Sequence, residues 1–168
     1  MDFELKSMST AAITKSLGKA HRYRLLNEPM HAESICLDVL AVDPENEQAI
    51  NILLLAVTDQ FDKRLTERFR QAQALKDRIK DRFKKVYYGG LICERRALAL
   101  YRRGGPGAAY VTYDWLRRAM HLYEAADLMS PPENDDPILR WNTCARFIMD
   151  HPDIQPEPHD TSVQFLDV

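Results

Sequence analysis

Five histidines and three cysteines are the residues through which this 168-residue chain could hold a metal or attack a substrate. A structural zinc site gathers Cys and His at short spacings, and a zinc hydrolase sets two histidines one helical turn apart around a Glu. His21, His31, His121, His151 and His159 follow neither pattern, and His21 and His121 read as surface or half-buried helix residues. His151 and His159 make at most a weak metal pairing in the C-terminal segment. Cys36, Cys93 and Cys144 are widely spaced and odd in number, so no disulfide framework or C-x-x-C pair is readable. They read as small buried hydrophobes in a reducing cytoplasm rather than as nucleophiles. No catalytic residue, metal or cofactor is expected.

Phosphate and proton chemistry fare no better. Gly104-Gly105-Pro106-Gly107 follows no strand and leads to no Lys-Ser/Thr, the context that aims amides and a cation at a phosphate. It reads as loop punctuation, as does Gly89-Gly90. Asp135-Asp136 suits a helix start, and Asp59 with Asp62 adjoins another. A basic run remains: Lys76, Arg78, Lys80, Arg82, Lys84 and Lys85, followed by Tyr87 and Tyr88. Such charge can meet phosphates with aromatics stacking on bases, or an acidic peptide, or simply water.

The elements that must carry these residues are helices. Leu, Ala, Arg and Glu are plentiful, and the few Gly and Pro stand at boundaries. A helix starts near Ser9 or Thr10 and is broken by Asn27-Glu28-Pro29. A second covers Pro29 to Val42 with Ala32, Ile35, Cys36, Val39 and Leu40 on one stripe. After Asp43-Pro44-Glu45-Asn46 a third carries Ile50, Leu53, Leu54 and Val57. Phe61, Leu65, Phe69, Ala72, Leu75, Ile79, Phe83 and Val86 recur at steps of three and four, which predicts one long amphipathic helix over 60–86. A helix over Leu91 to Arg103 follows. Residues 108–126 hold too many apolar positions for one stripe, so they are buried on two sides or divided near Tyr113-Asp114. The last helix runs from Asp136 to Met149, with Asp135 as N-cap. From 152 the chain turns polar and proline-rich, an extended or flexible acidic tail whose Val163, Phe165, Leu166 and Val168 could pin its end into a groove.

Charge is distributed unevenly. Residues 1–59 are net acidic, 60–103 strongly basic and 104–168 acidic again, within a total of −2. The basic middle can attract an acidic partner, or be neutralised by the chain's own ends or by a second copy. No run of eighteen apolar residues occurs, which excludes a helical membrane span, and the first twenty residues lack the apolar core of a signal peptide.

Two stretches resemble the tetratricopeptide repeat family, whose units are antiparallel helix pairs. In the first, about 13–46, Ala20 and Tyr23 match the small and aromatic positions of one helix. Ala32 and Val39 match the small positions of the next, and Pro44 the closing proline. In the second, about 100–133, the matches are Gly107, Tyr110, Ala119, Tyr123, Ala126 and Pro131. Lys19, Arg103 and Pro29 depart from the family pattern, and 47–99 is too long for one unit. The resemblance implies a short irregular array that binds a peptide or protein on a concave helix surface.

The expectation is therefore an all-α chain, with antiparallel helix pairs in a short TPR-like array and one long amphipathic helix. The helical domain covers 1–151 and the tail 152–168. The expected function is non-catalytic: an adaptor or chaperone-like scaffold for a protein or peptide, an acidic one included, with self-association open. Arg78, Arg82, Lys85, Tyr87, Arg95 and Arg96 form the expected recognition surface. The alternatives are nucleic-acid binding through the basic 63–103 region and a helical-bundle enzyme.

Overall fold

The computed structural model describes residues 3–158, and in them there are helices and no strands. A 3-10 turn over Thr10–Ala12 leads into α1 (Ile13–Leu25); α2 (Pro29–Val42), α3 (Glu47–Thr58), α4 (Leu65–Arg78), α5 (Arg82–Arg103), α6 (Ala108–Asp127) and α7 (Asp136–Asp150) follow. The all-α reading holds, and α1, α2, α3 and α7 lie where periodicity and punctuation put them.

Local chemistry explains the boundaries. Past the end of α1, Asn27 adopts φ 59° and the Glu28 N–H reaches back to the Tyr23 carbonyl at 2.9 Å, a left-handed closure that satisfies an orphan carbonyl. Pro29 then opens α2, where its missing N–H costs nothing. Asn46 caps α3 by accepting the Ala49 N–H at 2.9 Å. At α7 the capping differs from expectation: Asp135 holds the N-cap position without a side-chain bond, and Asn134 Oδ1 accepts the Asp136 N–H at 3.2 Å.

The single long helix over 60–86 does not form. Residues 59–64 turn, and the chain breaks again at Ile79–Asp81, where Ile79 and Asp81 have extended backbones. Asp81 is the reason for the second break: its carboxylate accepts the Lys84 N–H at 2.8 Å and starts α5. Phe61, Leu65, Ala72, Leu75 and Ile79 share one core across the first turn, while Phe83 and Val86 beyond the second are only half-buried. Periodicity reports a shared face, not a continuous backbone.

Gly89-Gly90 is not punctuation either; both lie inside α5 and are buried. A Cβ on Gly90 would stand 2.7 Å from the Tyr123 ring, so the missing side chain is what lets α5 and α6 approach. Residues 108–126 form one undivided helix, packed on α5 and α7. Gly107 is also misplaced by the repeat match: it is the exposed N-cap of α6 at φ 72°, not an interior helix residue. Ala20, Ala32, Ala119, Tyr123 and Ala126 are all buried, Tyr23 and Tyr110 are half-buried, and Pro44 and Pro131 sit in exposed loops.

Cross-contacts give the helix directions. Gly90 meets Tyr123 while the Thr112 hydroxyl donates to the Ala97 carbonyl, so α5 and α6 are antiparallel. Glu94 meets Arg140 and Tyr101 meets Phe147, so α5 and α7 are parallel. Arg24 at the end of α1 meets Asp59 at the end of α3, and Lys80 before α5 pairs with Glu45 before α3 while Arg102 pairs with Asp62 beyond it, so α1, α3 and α5 run together. Glu33 meets Arg68 and Pro44 meets Arg78, while Phe69 meets Trp115 and Lys76 lies with Leu122 over Gly89, so α2, α4 and α6 run together. Odd helices thus run one way and even helices the other.

Two cores result. The first is built from α1 to α4 with Ile92 and Ala99 of α5. The second joins Cys93 and Ala97 of α5 to Leu116, Met120 and Tyr123 of α6 and Cys144 of α7. Ile154 is buried in the second core, so packing continues past the expected boundary at 151. His159 and the apolar residues 163–168 lie outside the described residues. No described helix is long and apolar enough to cross a membrane.

Candidate cationic site at the α4–α5–α6 seam

The basic middle of the chain is spent largely on the chain itself. Arg68 donates to Glu33 at 2.5 Å, Arg102 pairs with Asp62 at 3.1 Å and Lys80 with Glu45 at 3.1 Å. This internal pairing takes apart the expected recognition surface. Arg95 is largely buried, donating to Asp59, to the Thr58 hydroxyl at 2.5 Å and to the Leu55 carbonyl at 3.1 Å. Burial lowers its pKa and Asp59 works against that, the signature of a structural ion pair. Tyr87 packs inward against Phe83, Tyr88 and Tyr123. Arg78 donates to the Pro44 carbonyl and Lys85 to the Asp77 carbonyl at 3.0 Å, tying down the α4–α5 corner. Arg82 is exposed there. These residues do not converge, and Arg96 stands apart from the other five.

The Arg96 guanidinium lies 4.0 Å from the Phe69 ring centroid and 4.4 Å from that of Trp115. Arg118 approaches Trp115 as well, at 4.8 Å. Phe69 belongs to α4, Arg96 to α5, and Trp115 and Arg118 to α6, so three helices meet here. Nearly two turns toward the start of α5 the same helices meet again. A Cβ on Gly89 would lie 3.5 Å from Leu122 of α6 and 3.7 Å from the Lys76 side chain of α4. Between these two points is Cys93, nearly buried. Leu122 and Lys76 thus close over Gly89, and Arg96 and Arg118 mark the end of this three-helix seam.

The charge along this seam is positive and incompletely matched. Among the described residues Arg96 and Arg118 form no ion pair and donate no hydrogen bond, and Lys76 has only its exposed neighbour Asp77, at 3.4 Å. The Arg96 Nε is buried without a partner, while its terminal nitrogens keep access to solvent. Burial lowers the Arg96 pKa, and Arg118 pushes the same way. Burial pushes the Cys93 thiol up, against Arg118, Lys76 and Arg96, which all lie near enough to favour its thiolate. Stacking on aromatic faces holds a guanidinium in a fixed plane.

No family model, curated protein or solved structure matches this chain. The functional reading therefore rests on the stacked arginines and their surroundings.

Two other polar features have structural explanations. Under α5 the Tyr123 hydroxyl donates to Glu94 at 2.5 Å and Arg140 donates to the same carboxylate at 3.1 Å. Burial and Glu94 push the Tyr123 pKa far up, so the phenol stays a donor. The trio welds α5, α6 and α7 in a place that solvent scarcely reaches. A cleft of about 200 Å³ between α6 and α7 is lined by Tyr123, Asp127, Pro137 and Ile138, and the Trp141 N–H donates to Glu124 at its edge at 2.8 Å. It is smaller than the sites that enclose small molecules. Burial pushes the Cys36 and Cys144 thiols up to about 12, so both are protonated near neutrality. Among the described residues no group of His, Cys, Asp and Glu is placed to hold a metal ion.

Arg96 was legible from sequence as part of a basic stretch. Phe69 was read only as a stripe position and Gly89 only as punctuation; Trp115 and Arg118 were not singled out, although a Trp followed at helical spacing by an Arg on α6 was a usable signal.

Proposed function

We propose that the chain is a non-catalytic interaction module of TPR-like construction that holds an acidic segment of a partner protein over α5. The observation that carries this reading is the aromatic-stacked Arg96, with Arg118 on the same Trp115 ring and neither paired with a carboxylate among the described residues. An acidic side chain would supply the missing counter-charge in a partly desolvated place, where charge-assisted hydrogen bonds are strong. The alternating helix directions support the repeat resemblance. Three free, buried cysteines fit a reducing compartment such as the cytoplasm. Nucleic acid is the weaker reading, because a phosphate backbone calls for a row of available cations and Arg68, Lys80, Arg95 and Arg102 are already paired within the chain.

Tryptophan fluorescence tests the reading directly. Trp115 and Trp141 are the two tryptophans, so Trp141→Phe leaves Trp115 as sole reporter. A glutamate-rich peptide should change its emission saturably, and Arg96→Gln with Arg118→Gln should abolish the change. An equal response to a neutral peptide of the same length, or none at millimolar concentration, would overturn the proposal.

A further inference from the structure

We infer that the acidic C-terminal segment of this chain docks in a basic cleft at the corner where α4 begins and α5 ends. The inference stands apart from the Arg96 site and does not depend on it. Arg64, Thr66, Glu67, Arg70 and Arg103 line one cleft of about 310 Å³. Arg103 and Leu65 also line an adjoining one of about 280 Å³, together with Phe61, Asp62 and Arg102. All four arginines are exposed. Asp62 engages Arg102 at 3.1 Å and Glu67 engages Arg64 at 2.5 Å. Arg70 and Arg103 form no ion pair among the described residues, and Arg70 only leans on the Thr66 carbonyl of its own helix at 3.5 Å. Four guanidinium groups thus share two carboxylates around one open corner.

The chain itself supplies matching charge within reach. Residues 151–168 hold Asp153, Glu157, Asp160 and Asp167 and no Lys or Arg. Asp153 accepts the Tyr101 hydroxyl at 3.3 Å and Ile154 is buried, which moors this segment to the end of α5, two residues from Arg103. A helix with its side chains is about 10–12 Å across. The seven residues from Asp153 to Asp160 span up to about 23 Å, enough to pass around α5 from Tyr101 to Arg103 and Arg70. An exposed ion pair alone contributes little. Tethering changes the balance, because a short flexible linker keeps the segment at an effective concentration in the millimolar range.

A nitroxide label on the full chain tests this by NMR. Cys36, Cys93 and Cys144 are buried, so Ser162→Cys takes the label selectively. At low salt the amide signals of residues 65–70 and 102–105 should lose most of their intensity, while those of 137–141, at the start of α7, keep theirs. High salt should restore the lost signals. So should Arg70→Gln combined with Arg103→Gln, and Asp160→Asn on its own, each checked by an unchanged urea midpoint. Broadening strongest at 137–141 would seat the segment between α6 and α7 and overturn the inference. Weak, even broadening, or broadening at the corner that survives the arginine substitutions, overturns it as well. A mixture of nitroxide-bearing chains and isotope-labelled chains without nitroxide should show no loss. Loss at the corner in that mixture would make a second copy the occupant and overturn docking within one chain.

Discussion

Two adjacent glycines in α5 should respond oppositely to the same methyl group. At Gly89 an added Cβ meets Leu122 at 3.5 Å and Lys76 at 3.7 Å, ordinary van der Waals contact. Gly89→Ala should therefore keep the helix-propensity gain of about 0.5–1 kcal/mol. At Gly90 the new atom would stand 2.7 and 2.8 Å from two carbons of the Tyr123 ring. That ring is fully buried and its hydroxyl is held by Glu94, so it has nowhere to move. Overpacking of this kind costs about 1–3 kcal/mol, and the rigidity of the ring places Gly90→Ala near the top of that range. After the same propensity gain, the net loss is about 2 kcal/mol. The two variants should then differ by about 3 kcal/mol, or roughly 6–12 °C in Tm for a chain of this size. Urea unfolding followed by circular dichroism, with m-values compared, measures the difference. A Gly90→Ala midpoint at or above wild type would refute the close-approach argument. Adding Tyr123→Leu should recover part of the Gly90→Ala loss, because the two sites are in contact.

Three further predictions follow from the ion pairs. Arg95→Glu should destabilise by about 3 kcal/mol, since it places a carboxylate against Asp59 in a largely buried site, whereas Arg82→Glu should stay within about 0.5 kcal/mol; urea midpoints separate them. Glu33 lies under burial that raises its pKa, overcome by hydrogen bonds from Arg68 and Gln60 that hold it below the usual carboxylate range. Its folded pKa is thus below its unfolded one, so its contribution is full above about pH 4.3 and is lost as pH falls through the folded value. Glu33→Gln should flatten stability across that acid window and leave a pH-independent difference near neutrality, as seen in urea midpoints taken at pH 7 and pH 3. Tyr123→Phe removes the donor to Glu94 while Arg140 remains, and should cost about 1–2 kcal/mol by the same unfolding measurement.

Most of the helix pattern was legible because punctuation and periodicity agreed over Pro29–Val42, Glu47–Thr58 and Asp136–Asp150. They disagreed at Asp81, where a capping carboxylate starts a new helix inside an unbroken apolar rhythm. Gly90 misled for a related reason: its role is set by Tyr123, thirty-odd residues away, and local composition cannot see that ring. The cationic site was legible only in part. Net charge marked α4 and α5 as basic, but which cations remain available depends on where Glu33, Asp59 and Asp62 come to rest. Arg95 and Arg96 are neighbours in sequence and opposite in fate, since 100° of helical rotation turns one toward Asp59 and the other toward Trp115.

Helix α5 supplies Ile92 and Ala99 to one core and Cys93 and Ala97 to the other, as a party wall serves two houses. A single inserted residue within it would rotate everything downstream by about 100° and hand each core the other's side chains. The loops at 104–107 and 130–135 carry no such obligation, and there the chain can lengthen with both cores intact. Length variation in proteins built on this plan should therefore gather on either side of α6 and stay out of 82–103.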